Sequence, residues 1–218
     1  MKMTSADINR QEIYRYLGYR GIKGDENTDR IIDSCIKEVL EVSDMRHFYK
    51  RFSLEFGSNN LIKIDRMEFE SKSLSKNFAG CKEVFLFAAT LGMEVDRVLG
   101  RYVKLNMLRA AVFQSTASAV IEAYCNLLQS QIEEEVKGEG LYLRPRFSPG
   151  YGDVKLEVQK DFLSLIDSPK TVGIILNEGG MMIPEKSVSA FIAVSKEKTE
   201  CSRQGCEICG KKDCAYKR

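Results

Sequence analysis

The chain has one histidine in 218 residues, and its 33 basic residues are nearly matched by 31 acidic ones, for a net charge of +2. The lone histidine, His47, lies in an amphipathic segment, where a structural or surface role is expected. No basic cluster is interleaved with aromatics, so nucleic acid is excluded as a partner. No apolar run approaches the length of a membrane span, and Met1 to Asp7 contains no apolar stretch that could serve as a signal sequence. A soluble, cytoplasmic protein is expected. The seven cysteines fit a reducing compartment, because an odd number spread partly through apolar segments makes a poor disulfide framework.

What is present suffices for a full core: 44% of the residues are hydrophobic, and the length suits one domain with or without a small tail. Apolar periodicity predicts helices at about 8–18 and 25–43, the second burying Ile31, Ile32, Ile36, Val39 and Leu40. Alternation predicts strands at about 47–52, 61–64 and 67–69, with a short helix at 73–77. Val84 to Thr90 reads as a strand buried on both faces. A long helical signal runs from Met93 to Lys137 with a break near 104–106. Its middle holds small residues (Ala110, Ala111, Ser115, Ala117, Ser118 and Ala119), which allow close packing on a sheet or leave room for a ligand. A helix at about 157–166 and strands at about 171–177 and 187–194 complete the pattern. Strands grouped around helices, without repeated strand-helix alternation, predict an α+β fold with a mostly antiparallel twisted sheet and packed helices.

One loop stands apart chemically: Arg146-Phe147-Ser148-Pro149-Gly150-Tyr151-Gly152-Asp153. Pro149 fixes φ and removes a donor, Gly150 permits positive φ or close approach to a ligand, and Tyr151 offers a flat face with a polar tip. Arg146 supplies a planar fork suited to a carboxylate or phosphate. Taken alone, Pro-Gly also marks an ordinary turn. Upstream, Glu122 interrupts the apolar run Ala119 to Tyr124. With Ser118 and Asn126 one turn away on either side, its pattern reads as a solvated helix face.

The loop resembles the Arg-x-x-x-Gly-Tyr loop of the activation domain of cobalamin-dependent methionine synthase. Three further segments are similar to the same family in the same order: Tyr14 to Gly21; Val84 to Gly92 with Glu94, Asp96 and Arg97; and the Ala117 to Tyr124 helix. A later element, Pro184-Glu185-Lys186-Ser187-Val188-Ser189, resembles the family's Pro-x-x-Ser-Val-Ser. The likeness extends from about residue 11 to about 195. The chain departs from the long synthases, which carry Pro-Ala-Pro-Gly-Tyr-Pro, in having Phe147 and Ser148 before Pro149 and Gly152 after Tyr151, in a shorter segment between the Glu122 helix and the loop, and in lacking a clear counterpart of a later ligand-touching tyrosine.

The resemblance implies an activation-domain-like unit over 1–198 that binds S-adenosylmethionine through Glu122, Arg146, Ser148, Gly150 and Tyr151. Arg146 would face the ligand's carboxylate, and Glu122 its amine or a ribose hydroxyl. An aspartate near the amino end is also implied, with Asp25, Asp29 and Asp33 as candidates. No Asp-x-His-x-x-Gly cobalamin motif and no room for a homocysteine or folate module are found. The resemblance therefore implies a free-standing activation subunit acting in trans on a methionine synthase that lacks its own activation domain. Cobalamin would reside on that partner, and a flavodoxin or ferredoxin would supply the electron. No residue of this chain is expected to act as catalytic acid or base.

Residues 199–218 form a separate cysteine-rich tail, with Cys201, Cys206, Cys209 and Cys214 at spacings suited to an iron–sulfur cluster or a tetrahedral zinc. Cys35, Cys81 and Cys125 read as core thiols. Two other functions remain open: a metal-binding interaction module on the same fold without S-adenosylmethionine, and reactivation of a different corrinoid protein.

Overall fold

The structure is a computed structural model and describes residues 3–19 and 24–198. Its central element is β5 (Glu83–Thr90), in which every residue from Val84 onward is buried. The strand lies inside an antiparallel sheet of order β1-β5-β9-β6, between β1 (Arg46–Ser53) and β9 (Ser187–Ser195), with β6 (Tyr142–Leu143) beyond β9. Both faces of this sheet are covered. That is why Val84 to Ala89 is continuously apolar instead of alternating with polar residues.

On one face, Phe85, Phe87 and Ala89 join Ala190, Ile192 and Val194 against a helical layer. This layer comprises α1 (Arg10–Tyr16), α2 (Glu26–Val42), α4 (Met93–Leu105) and the long α5 (Met107–Lys137). Helix α2 buries Ile32, Cys35, Ile36 and Val39 at helical spacing, whereas Ile31 and Leu40 are only partly covered. Its start is set by Asp25, whose carboxylate accepts the Thr28 amide at 2.7 Å. The small residues Ala110, Ser115, Ala117 and Ala119 of α5 are buried, so packing is their use. The break expected near 104–106 falls at Asn106. Its extended backbone (φ −156°, ψ 95°) ends α4, and its side chain accepts the Arg109 amide at 3.0 Å to begin α5.

On the other face, Val84, Leu86, Ala88, Phe191 and Ala193 pack under a three-stranded meander. It is formed by β2 (Glu55–Phe56), β3 (Leu61–Ile64) and β4 (Met67–Glu70), with α3 (Lys72–Asn77) and α6 (Val158–Leu165) alongside. Burial of Phe78, Phe162 and Phe191 anchors this half, at roughly 1.5–3 kcal/mol for each large apolar side chain. The α+β architecture is the one the residue pattern predicts.

One expectation holds only in part. Of the strand predicted over 171–177, Ile175–Leu176 is extended, as β7 paired with β8 (Met182–Ile183), while a short helix α7 (Ser168–Thr171) takes up its start. Asp167 takes a left-handed conformation and Pro169 sits in the first turn of α7, where its missing N–H costs nothing. Among the described residues no helix is long and apolar enough to cross a membrane.

Candidate functional site

The exposed side of α5 carries a polar stripe at one-turn intervals: Ser118, Glu122, Asn126 and, just beyond, Gln129. Residues at such spacing share one helix face. Arg146, on the chain leaving β6, lays its guanidinium along this stripe. Its Nη2 donates to Glu122 Oε2 at 3.1 Å and to Asn126 Oδ1 at 2.8 Å, while Nη1 donates to Gln129 Oε1 at 3.0 Å. The arginine side chain is 16% exposed and that of Glu122 is 44% exposed, so a half-open ion pair lies at the surface of the helical layer.

The 146–153 loop is held at both ends. Phe147 is buried and exchanges both backbone hydrogen bonds with Phe191 of β9, at 3.0 and 2.8 Å. Ser148 O accepts the Tyr151 amide at 3.3 Å across a turn with Pro149 second and Gly150 third. Gly150 has φ +85°, which a type II turn demands at that position. Ser148 is half-buried and Tyr151 is 57% exposed, at the outer end of the loop. At the far end, Asp153 accepts from Ser71 Oγ at 2.6 Å and from the amides of Lys72 and Ser73 at 2.7 and 3.1 Å, at the start of α3. Burial works against its charge, but these hydrogen bonds outweigh it and hold the carboxyl below its ordinary pKa.

Neither a family model nor a curated protein sequence matches the chain. Solved structures do. The crystal structure of the MetH reactivation domain bound to AdoHcy superposes with a TM-score of 0.65 at 16% sequence identity, over 90% of this chain and 77% of that one. The chain has the MetH reactivation-domain fold.

On that fold, the sequence-selected residues separate into groups. Arg146 and Glu122 come together directly, and Ser148, Gly150 and Tyr151 form the turn that follows Arg146. The three candidate aspartates are engaged elsewhere: Asp25 caps α2, Asp29 accepts from the Tyr14 hydroxyl, and Asp33 pairs with Arg10 at 2.5 Å. From the amino-terminal helix, Tyr16 lies near enough to Glu122 to feel its charge. Its hydroxyl is held above its ordinary pKa, first by burial and then by the negative charge of Glu122. The sequence motifs contain Tyr16, Asp153 and Lys186 without singling out a role for them, and they pass over Gln129. The one signal for Gln129 was its place on the stripe begun by Ser118 and Asn126.

Cys201, Cys206, Cys209 and Cys214 lie outside the described residues, as do Arg20 and Gly21 of the amino-terminal motif. Among the described residues, no three His, Cys, Asp or Glu side chains gather as metal ligands. Cys35, Cys81 and Cys125 are buried free thiols. Burial pushes Cys35 up to about 11 and Cys125 up to about 12, which keeps both protonated and unreactive. His47 is exposed, and its Nδ1 hydrogen-bonds the Tyr124 hydroxyl at 2.7 Å, in keeping with a structural or surface role.

Proposed function

We propose that the chain binds S-adenosylmethionine between the 146–151 loop and the Glu122 face of α5, and that it acts in trans to reactivate a cobalamin-dependent methionine synthase reductively. The observation that carries this reading is the Arg146–Glu122 pair at 3.1 Å, on a fold shared with a domain solved with AdoHcy. The amino-acid end of S-adenosylmethionine is a zwitterion. It can enter this pair without leaving a charge unmatched, its carboxylate taking the guanidinium and its ammonium taking Glu122.

The donor set fits such a ligand. Arg146 offers a planar fork, and Asn126 and Gln129 hold that fork in place from the helix. Gly150 brings backbone close to the ligand without a Cβ, and the faces of Tyr151 and Tyr16 suit a cationic sulfonium. A corrinoid held by the partner, reduced by one electron, would supply the nucleophile for the sulfonium methyl, with the neutral thioether as leaving group. The residues of this site bind the donor, aim the methyl outward and exclude water.

Calorimetric titration tests the binding. Arg146→Ala weakens S-adenosylmethionine by tenfold or more, the loss expected when a charge-assisted contact of roughly 1.5–3 kcal/mol is removed. Absence of heat from the wild-type protein at millimolar ligand would replace this reading with that of an interaction module on the same fold.

A further inference from the structure

Lys186 is a buried cation that meets the α5 stripe at Ser118, one turn from Glu122, and nothing in the ion-pair arrangement above uses it. It sits where β9 begins, only 8% exposed. Its backbone carbonyl is fixed by the Leu91 amide at 2.9 Å. Its ammonium donates to Ser118 Oγ at 3.2 Å, and Ser118 in turn donates to the Gln114 carbonyl at 3.0 Å, so the serine presents a lone pair to the lysine. Among the described residues this is the ammonium's one hydrogen bond, although a lysine has three donors. No carboxylate lies within ion-pair distance of it among those residues. Burial lowers its pKa, with Glu185 and Asp96 opposing from farther off. An ammonium retained in such surroundings, with two donors to spare, is an unusual use of a buried position.

Its place along α5 gives it a use. Ser118 and Glu122 are one turn apart on the same face, about 5–6 Å between Cβ atoms. Arg146 covers the stripe from Glu122 to Gln129, which leaves Ser118 as the uncovered direction. A ligand whose amino-acid end replaces the Arg146–Glu122 pair therefore extends past Glu122 toward Ser118. Lys186 at Ser118 and Arg146 from Glu122 to Gln129 thus lie at successive places along α5, with Glu122 between the two cations to receive positive charge.

We infer that Lys186 is a second ligand-binding cation, which donates a hydrogen bond to an acceptor on the nucleoside end of the bound sulfonium compound, an adenine ring nitrogen or a ribose oxygen. The inference rests on the S-adenosylmethionine reading and adds to it a residue that selects for the nucleoside. Beyond the carboxylate, which Arg146 takes, a simple sulfonium amino acid offers no acceptor, whereas a nucleoside offers ring nitrogens and ribose oxygens.

NMR-detected titration, which reads millimolar affinities, tests this with three ligands on the full chain. These are S-adenosylmethionine, methylthioadenosine (nucleoside end only) and S-methylmethionine (amino-acid sulfonium end only). Lys186→Met, similar in length and without charge, should weaken the first two by roughly tenfold, as for loss of one charged donor, and leave S-methylmethionine unchanged. Lys186→Arg, which keeps the cation, should recover most of the loss and guards against a folding defect in the methionine variant. Equal binding of all three ligands by wild type and Lys186→Met overturns the inference while leaving the site reading intact. Equal weakening of all three, not rescued by arginine, overturns it in favour of a structural lysine. Failure of wild-type protein to bind S-adenosylmethionine overturns both readings.

Discussion

Asp153 joins the 146–153 loop to the meander half of the molecule through one carboxylate and three donors at the start of α3. Because its folded pKa is depressed, its contribution is fully present above the unfolded value of about 3.9 and is lost as pH falls through the lower folded value. Asp153→Ala should therefore melt a few degrees below wild type at neutral pH, with the gap closing as pH drops below about 4. Melting curves across that range check the sign: a gap that persists in acid would mean that packing, not the carboxylate, ties the loop down. The Gly150 position is equally specific. Its φ is +85°, and a Cβ there would stand 3.3 Å from the Leu156 side chain, so any larger residue strains the turn that carries Tyr151.

Helix α5 does two jobs with its two faces. The buried face, with Val112, Phe113, Ala117, Val120, Cys125 and Leu128, closes the core. The opposite stripe positions Glu122, Asn126 and Gln129 for Arg146. Such a stripe can hold a ligand only if the helix has a fixed register on the sheet, and its amino end is fixed at Asn106. Asn106→Ala removes the hydrogen bond to the Arg109 amide and should cost about 1 kcal/mol. That corresponds to roughly 2–4 °C in Tm for a chain of this size. If the loss is confined to stability and S-adenosylmethionine affinity is unchanged, the core holds the register; a parallel loss of affinity would assign that task to the cap.

For the molecule as a whole, the proposed activity needs a partner. Mixed with a methionine synthase lacking its own activation domain, a reductant and S-adenosylmethionine, the full chain should restore turnover of the inactive enzyme. Methyl transfer to a small acceptor by this chain alone would contradict the proposal. The Cys201, Cys206, Cys209 and Cys214 run adds a second readout. Anaerobic purification should yield bound iron with visible absorption, or zinc without colour, and neither metal would leave a plain thiol tail. If the run relays electrons, removing residues 200–218 spares reactivation by a chemical reductant and abolishes it with a flavodoxin or ferredoxin donor. Unchanged activity with both donors would end the relay idea.

Local pattern by itself determined the strand Val84 to Thr90, the helices α2, α4 and α5 with their break near Asn106, and the turn at Pro149-Gly150, because periodicity, capping and the demand for positive φ act over a few residues. Resemblance to a family picked out Glu122, whose own pattern read as solvated. Tertiary structure decided what these residues meet. The contact of Arg146 with Glu122, Asn126 and Gln129 spans up to 24 positions, and that of Lys186 with Ser118 spans 68. It likewise set the candidate aspartates to capping and surface pairing. Such encounters depend on how α5 packs over the β5–β9 pair, and no short-range regularity in the chain encodes that packing.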